Sequence, residues 1–332
     1  MKQADILRVI DIIKESIAVL KIDLSGQNVL TEAGSGYFLF TPIIARLAGA
    51  EKVFIWTKDS SYGNAKDIYS QFNEVLNILN LPNDFIWALN HRPVEHIQEA
   101  DIITNLGFVR PINDEFLSLA KKNKAVVPLM CEAWELREND VDISSCKYFG
   151  IKVAGTWENI PTLKIFDACG SLAIKIANEA GYEVYQNKII IWSDDNFGEV
   201  IKKSFINHGA KEVICTTDFS TLLNNIEKTD FIFICKQSEK KAFFGEEGII
   251  DVSEIIKINK RVGIIHIYGD IDNEYIKKMG LNIYPDRKGR SNIMTYTLSH
   301  LGPIPIINLH AAGLKVGELL IKNEKNDLVQ LI

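Results

Sequence analysis

Two short glycine-containing turns carry the residues best suited to binding a nucleotide. The first is "TEAGSGYFLF", in which Gly34 and Gly36 follow a predicted strand and precede a predicted helix. Glycines placed there let backbone amides approach an anion at the start of a helix. Asp59 ends the next predicted strand, where nucleotide folds place a carboxylate that binds ribose. A tight turn that needs glycine for steric reasons alone would explain the same pattern.

The second turn, "KIIIWSDDNFGEVI", departs from the G-x-G-x-x-G pattern of dinucleotide-binding folds. The three glycine positions hold Ser193, Asp195 and Gly198, and Asp218 ends the following strand at the ribose position. Gly198 permits close packing of helix on strand, and Ser193 can hydrogen-bond to a phosphate. Asp195 places charge and bulk where a pyrophosphate should meet the backbone. The turn therefore predicts a Rossmann-type scaffold and leaves cofactor binding open.

Polar residues that follow first-half strands are candidates for binding and catalysis. Arg110, in "LGFVRPI", is a candidate anchor for an anionic group, and a surface arginine is the alternative. Glu132 and Glu135, in "MCEAWE", share one face if the segment is helical. Their alternative is a solvated turn. The five cysteines form no C-x-x-C pair and no zinc-like spacing, so no metal site is predicted.

Composition limits the classes of protein that fit. The chain has 332 residues, enough for two domains, and a net charge of −6, which offers no basic field for nucleic acid. Charges interrupt the N-terminal apolar residues every few positions, which predicts an amphipathic helix and neither a signal peptide nor a membrane span. The scattered, odd-numbered cysteines favour a reducing compartment. We therefore expect a cytoplasmic protein without nucleic-acid or membrane partners.

Strand-like and helix-like segments alternate along the chain, which predicts an α/β fold with mostly parallel sheets. The alternation restarts after a predicted helix over 162–180, and this indicates two Rossmann-like, doubly wound domains. We assign residues 1–155 to the first domain and 156–305 to the second, with a C-terminal helix over 310–330 packing back on the first. The segment 303–321 is predicted as a loop leading into a helix. A ligand is expected in a cleft between the domains.

Residues 98–320 resemble a known family by pattern. The matching segments are Ala100-Asp101, Asp140-Val141-Asp142, Gly150-Ile151-Lys152-Val153, the 188–218 turn and "INLHAAG". Together they resemble the D-isomer-specific 2-hydroxyacid dehydrogenases, of which the NAD domain of adenosylhomocysteine hydrolase is a near relative. The chain is also similar to a group of uncharacterised bacterial proteins with "TEAGSGY" and "TNLGFVRPI" segments.

The resemblance implies NAD or NADP as cofactor, a homodimer, and His310 as the residue that exchanges a proton with the substrate. The family's arginine position holds Tyr268, and its glutamate position has no counterpart. The resulting hypothesis is a divergent NAD(P)-dependent oxidoreductase-like protein acting on a small polar or anionic metabolite, with Arg110 as anchor. One alternative is a re-purposed ligand-binding or assembly protein on a dehydrogenase scaffold. Another is an adenosylmethionine-dependent transferase that uses the Gly34–Gly36 turn.

Overall fold

The computed structural model describes residues 2–137, 139–236, 243–245, 248–289 and 294–332. The chain forms two compact units, each described by itself. The first comprises Met1–Ile165 and Gly302–Ile332, and the second comprises Phe166–Leu301. The first unit is therefore built from two separate stretches of the sequence.

The strands of the described residues are β1 (Asn28–Glu32), β2 (Lys52–Thr57), β3 (Ile86–Leu89), β4 (Ile102–Ile103), β5 (Val126–Pro128), β6 (Lys152–Thr156), β7 (Lys188–Trp192), β8 (Glu212–Thr216), β9 (Phe231–Ile234), β10 (Gly263–His266), β11 (Ile283–Tyr284) and β12 (Val329–Leu331). The α-helices are α1 (Gln3–Leu20), α2 (Thr41–Leu47), α3 (Ala65–Leu79), α4 (Val94–Glu99), α5 (Asp114–Leu119), α6 (Ile143–Phe149), α7 (Ile165–Glu179), α8 (Asn196–Asn207), α9 (Phe219–Asn225), α10 (Val252–Ile258), α11 (Asn273–Lys278) and α12 (Pro303–Lys322). Short 3₁₀ helices span Gly36–Phe40, Ala133–Glu135, Ile226–Lys228 and Leu298–His300.

The sheet of the first unit has the strand order β12-β6-β5-β4-β1-β2-β3. Strands β1 to β6 pair in parallel, and β12 pairs antiparallel with β6 at the edge. Leu30, Phe54 and Val127 belong to a buried apolar cluster of this sheet. Because the strands run in parallel, the residues that follow β1, β2, β4, β5 and β6 meet at one edge, the carboxyl edge.

The sheet of the second unit has the order β11-β10-β9-β7-β8, and all four pairings are parallel. Strand β9 is buried at every position and β7 at four of five, as central strands covered on both faces should be. The prediction of an α/β fold with two Rossmann-like parallel sheets is confirmed.

The C-terminal segment differs from its prediction. Helix α12 begins at Pro303 rather than after a loop, because prolines at the first helical positions need no intrahelical N–H partner. This helix contacts β5 and β6 of the first unit. It is long and apolar enough to cross a membrane, yet 72% of its most apolar window is buried inside the protein. Its apolar character is therefore explained by packing in the core.

The boundary between the units also lies later than the predicted 155/156. Strand β6 ends at Thr156, and residues 157–165 remain with the first unit. The backbone N–H of Trp157 donates to Leu328 O at 2.9 Å, which ties the segment after β6 to the chain before β12. The sequence prediction does not include β12, since three residues are too few to show strand alternation.

Candidate functional site

Glu32 is the acidic residue at the centre of the carboxyl edge of the first unit. It ends β1, and its exposed fraction is 7%. The backbone N–H of Phe108 donates to Glu32 Oε2 at 2.6 Å. Burial raises the pKa of Glu32 to about 7, although the Phe108 hydrogen bond and the charges of Arg110 and Lys58 act to lower it. The carboxyl group can therefore gain or lose a proton near neutral pH.

Two glycines lie beside the Glu32 carboxyl group. A Cβ placed on Gly34 would lie 3.5 Å from Glu32 Oε1, but it would also come within 3.0 Å of Phe38 Cβ. A Cβ placed on Gly107 would lie 3.5 Å from Glu32 Oε2 and 3.6 Å from Arg110 Nη2. Gly107 is exposed, so the space between carboxyl and guanidinium opens to solvent. An acid–base group and a cation thus flank one small opening.

Arg110 follows β4, as predicted, and the two terminal nitrogens of its guanidinium have different neighbours. Nη1 forms an ion pair with Asp140, whereas Nη2 would lie 3.6 Å from a Cβ placed on Gly107. The Lys58 ammonium lies 5.7 Å from the ring centroid of Phe108, the residue whose amide binds Glu32. The positive charge around Glu32 therefore comes from two strand ends, β2 and β4.

After β5, Glu132 is the N-cap of a short 3₁₀ helix, Ala133–Glu135, and Glu135 ends this helix. Glu132 is 4% exposed, and its carboxylate accepts from Trp134 Nε1 at 2.5 Å and from the Glu158 amide at 3.1 Å. Glu135 Oε1 accepts from the Glu132 amide at 3.1 Å. The predicted catalytic role of Glu132 stays a prediction, and its carboxylate already holds the ends of β5 and β6 together.

Glu158, after β6, completes a group of three carboxyls with Glu132 and Glu135. Burial, followed by repulsion from Glu135 and Glu132, holds the pKa of Glu158 well above its ordinary range. Burial likewise raises the pKa of Glu135, which hydrogen-bonds to Glu158. One proton shared by this pair relieves the repulsion between the two carboxyls. Among the residues that the structure describes, no group of His, Cys, Asp and Glu is arranged to hold a metal ion.

His310 lies inside the first unit on α12 and is 2% exposed. Its Nδ1 and the hydroxyl of Thr41 are 2.6 Å apart, and its ring centroid lies 5.5 Å from that of Phe38. Burial lowers the pKa of His310 to about 4, so the ring is neutral at pH 7. The role that the resemblance implies for His310 stays a prediction, and the geometry places the ring in a packed interior.

The first glycine turn continues into a 3₁₀ helix. Gly36 has φ of +63°, which favours glycine, and the Gly34 amide donates to Phe38 O at 3.3 Å. Both carboxylate oxygens of Asp59 have protein donors, the Ala65 amide at 2.8 Å and Asn90 Nδ2 at 3.2 Å. The predicted ribose carboxylate thus holds the loop that begins α3.

The second glycine turn has the strand–turn–helix shape that was predicted. A Cβ on Gly198 would lie 2.6 Å from Ser193 Cβ and 3.0 Å from Cys215 Sγ, so close packing requires glycine here. Asp195 caps α8, and Asp218 caps α9 by accepting from the Thr221 amide at 2.8 Å. Hydrogen bonds, first from Thr221, lower the pKa of Asp218 to about 2.

The structure therefore brings together Arg110, Gly34 and a residue that sequence reasoning missed, Glu32. The missed signal was an acidic residue at the end of a buried strand, directly before the glycines of "LTEAGSG". A cavity of about 780 Å³ lies elsewhere in the first unit, against Gly150–Val153 and the end of α12. Residues of α6, of the start of β6 and of the segment from the end of α12 through β12 line it.

Comparison with known proteins shows the fold. No model of a known protein family and no curated protein matches this sequence. The crystal structure of a dipicolinate synthase chain from Bacillus halodurans is similar, with a TM-score of 0.55, 11% identity, and coverage of 91% of this chain and 98% of that chain. The dipicolinate synthase chain from Bacillus subtilis has a TM-score of 0.55 and 11% identity, with coverage of 92% of this chain and 100% of that chain. The pyruvate reductase of Chlamydomonas reinhardtii has a TM-score of 0.52 and 10% identity, with coverage of 92% of this chain and 99% of that chain.

Structures of the D-isomer-specific 2-hydroxyacid dehydrogenase type are among those that this chain resembles. The resemblance predicted from the sequence is thereby confirmed at the level of the fold. At this identity the likeness concerns architecture alone, and activity has to be argued from the site.

Proposed function

We propose that this protein is a divergent oxidoreductase-like protein that binds a small anionic metabolite at the carboxyl edge of its first unit and exchanges a proton with it through Glu32. One observation carries the proposal: a carboxyl group with a pKa of about 7 faces Arg110 across the opening at Gly107. The dehydrogenase-type fold supports the scaffold part of the proposal.

Charge balance explains why such a ligand would be anionic. When Glu32 carries its proton it is neutral and no longer competes for Lys58 or for Arg110 Nη2, while Arg110 Nη1 stays paired with Asp140. When Glu32 is ionised it competes with that anion for the same cations. Anion binding should therefore raise the pKa of Glu32 and take up a proton. A group that titrates near pH 7 can then return the proton to a bound ligand.

Calorimetric titration with oxalate, a small unreactive dianion, tests the proposal. We expect the affinity of the native protein to fall about tenfold from pH 6 to pH 8, because Glu32 loses its proton in this range. Glu32→Gln should remove this pH dependence. Oxalate binding that does not change between pH 6 and pH 8 would contradict the proposal.

Gly107→Ala provides a sharper variant of the same test. The added methyl group would make ordinary van der Waals contacts at 3.5 and 3.6 Å, so the fold should tolerate it. It would nevertheless fill the space between Glu32 and Arg110, and we expect oxalate affinity to fall about tenfold or more with an unchanged Tm. Glu51→Gln, an exposed position before β2, is the matched control and should bind oxalate as the native protein does.

An NAD(P)-dependent oxidoreductase is the second candidate, favoured by the retained β7–turn–α8 shape and by the close packing at Gly198. The residues of that turn do not fit a pyrophosphate in the usual way, since Asp195 occupies the amides that would receive it. Loss of oxalate binding would leave this candidate untouched. Saturable NADH binding by the native protein would support it. The transferase alternative, the homodimer and the cytoplasmic location stay predictions.

A further inference from the structure

The start of α8 is already occupied by a side chain of the same turn. Asp195 Oδ1 accepts from the Phe197 amide at 3.0 Å, from the Gly198 amide at 3.3 Å and from Ser193 Oγ at 2.8 Å. In dinucleotide-binding folds the corresponding amides and the positive end of the helix bind the pyrophosphate. A carboxylate oxygen therefore stands where a phosphate oxygen would be bound.

The neighbouring charges reinforce this arrangement. Lys236, a cation that could neutralise a phosphate, is paired with Asp194 of the same turn. Asp218, at the ribose position, uses Oδ2 to accept from the Thr221 amide and from the hydroxyls of Thr221 and Ser220, at 2.6 to 2.8 Å. Lys236 and the carboxylates of Asp194 and Asp218 are thus already bound to partners within the protein.

The turn nevertheless keeps the order of strand, turn and helix of a dinucleotide-binding fold. Gly198 allows α8 to start directly against Ser193 and Cys215, and β7 pairs in parallel with β8 in unbroken register. The strand, the turn and the helix are therefore in place, and Asp195 is the residue whose side chain occupies the amides at the start of α8.

We propose that Asp195 determines the ligand specificity of the second unit: its carboxylate competes with dinucleotide phosphate for the amides of Phe197 and Gly198. This proposal concerns the second unit alone and does not depend on the Glu32 site. A substitution that removes the carboxylate and supplies no other acceptor should free both amides for phosphate. A substitution that supplies another capping acceptor should leave both amides occupied.

NADH titration followed by nicotinamide fluorescence and calorimetry tests the competition. We expect Asp195→Gly to bind NADH at least about tenfold more tightly than the native protein. Asp195 has extended backbone angles, so glycine and alanine both fit the position, and Asp195→Ala should show the same gain. Asp194→Gly, which changes the adjacent carboxylate but no cap, is the matched control and should gain less.

Asp195→Asn tests whether NADH is excluded because the two amides are occupied or because the side chain is negatively charged. Asparagine is as good an N-cap as aspartate, so this variant should fold and keep both amides occupied. We expect it to gain much less NADH affinity than Asp195→Gly. A tenfold gain in Asp195→Asn would overturn the proposal, because charge and not occupancy would then be the cause. The proposal would also be overturned if folded Asp195→Gly or Asp195→Ala bound NADH no more tightly than the native protein. The same holds if neither the native protein nor these variants bound NADH.

Discussion

The carboxyl edges of the two sheets both carry acidic side chains at strand ends, but the surroundings of these carboxyls differ. In the first unit Glu32 receives one backbone amide and is buried, so its pKa rises to about 7. In the second unit Asp195 and Asp218 each cap a helix, and the donors around Asp218 lower its pKa to about 2. Glu32 therefore titrates near pH 7, whereas Asp218 stays ionised until the pH falls toward 2.

The difference shows that a strand-end position does not by itself define the role of a carboxylate. The number of hydrogen-bond donors and the degree of burial define it. Asp59 makes the same point inside the first unit, since it follows β2 yet accepts from two donors, the Ala65 amide at the start of α3 and Asn90 Nδ2 after β3. Glu32 differs because the segments beside it, at Gly34 and Gly107, bring few donors and little bulk.

The largest expected effect concerns the packing of the second unit. Gly198→Val would force a side chain against Ser193 Cβ and Cys215 Sγ, at 2.6 and 3.0 Å from the new Cβ. We expect about 3 kcal/mol or more of lost stability, measured by urea unfolding. Gly280→Ala, at a positive-φ position with no atom within 4 Å, is the control and should cost about 1 kcal/mol. An equal loss of stability in Gly198→Val and Gly280→Ala would contradict the close packing of Gly198 against Ser193 and Cys215.

A smaller effect tests the titratable carboxyl of the first unit. Because the pKa of Glu32 is raised from 4.5 to about 7 on folding, the native state binds the extra proton, and stability falls as pH rises through this range. From pH 5 to pH 8 the loss from this residue should be about 2 to 3 kcal/mol. Glu32→Gln should lack it, as measured by urea unfolding at both pH values.

Tryptophan fluorescence suits the Glu32 measurement, because four of the five tryptophans, all except Trp192, belong to the first unit. Glu51→Gln should retain the native pH dependence. If Glu32→Gln loses stability from pH 5 to pH 8 as steeply as the native protein, Glu32 is not the buried proton acceptor.

The smallest effect is expected at Asp218. Asp218→Ala removes the cap of α9, so Tm should decrease slightly at pH 7, whereas Asp218→Asn should retain most of the cap. The pKa is lowered on folding, so the stabilisation is present above the ordinary pKa of 3.8 and is lost as pH falls toward 2. The difference in Tm between native protein and Asp218→Ala should therefore narrow below pH 3.8. A difference that stays constant at acidic pH would exclude the carboxylate as its source.

Much of the scaffold could be predicted from apolar patterns. Strands β2 and β7 could be predicted, since each carries a continuous apolar run, 53–56 and 189–192, of the length of a buried strand. The obstructive position of Asp195 was predictable because a charged side chain replaces glycine at a place of close approach. Glu32 and His310 were harder, because the pKa of a side chain depends on burial by residues distant in sequence. The segment after Gly302 was misjudged, since its prolines fit a first helical turn.

The discontinuous first unit has a consequence for biosynthesis. The second unit is one uninterrupted stretch, Phe166–Leu301, and it is translated before α12 and β12 are made. Domains generally fold as units while the chain emerges from the ribosome. The second unit can therefore complete its sheet first. The first must wait for Gly302–Ile332, and until then the edge of β6 and the surface that α12 covers are open to pairing with other chains.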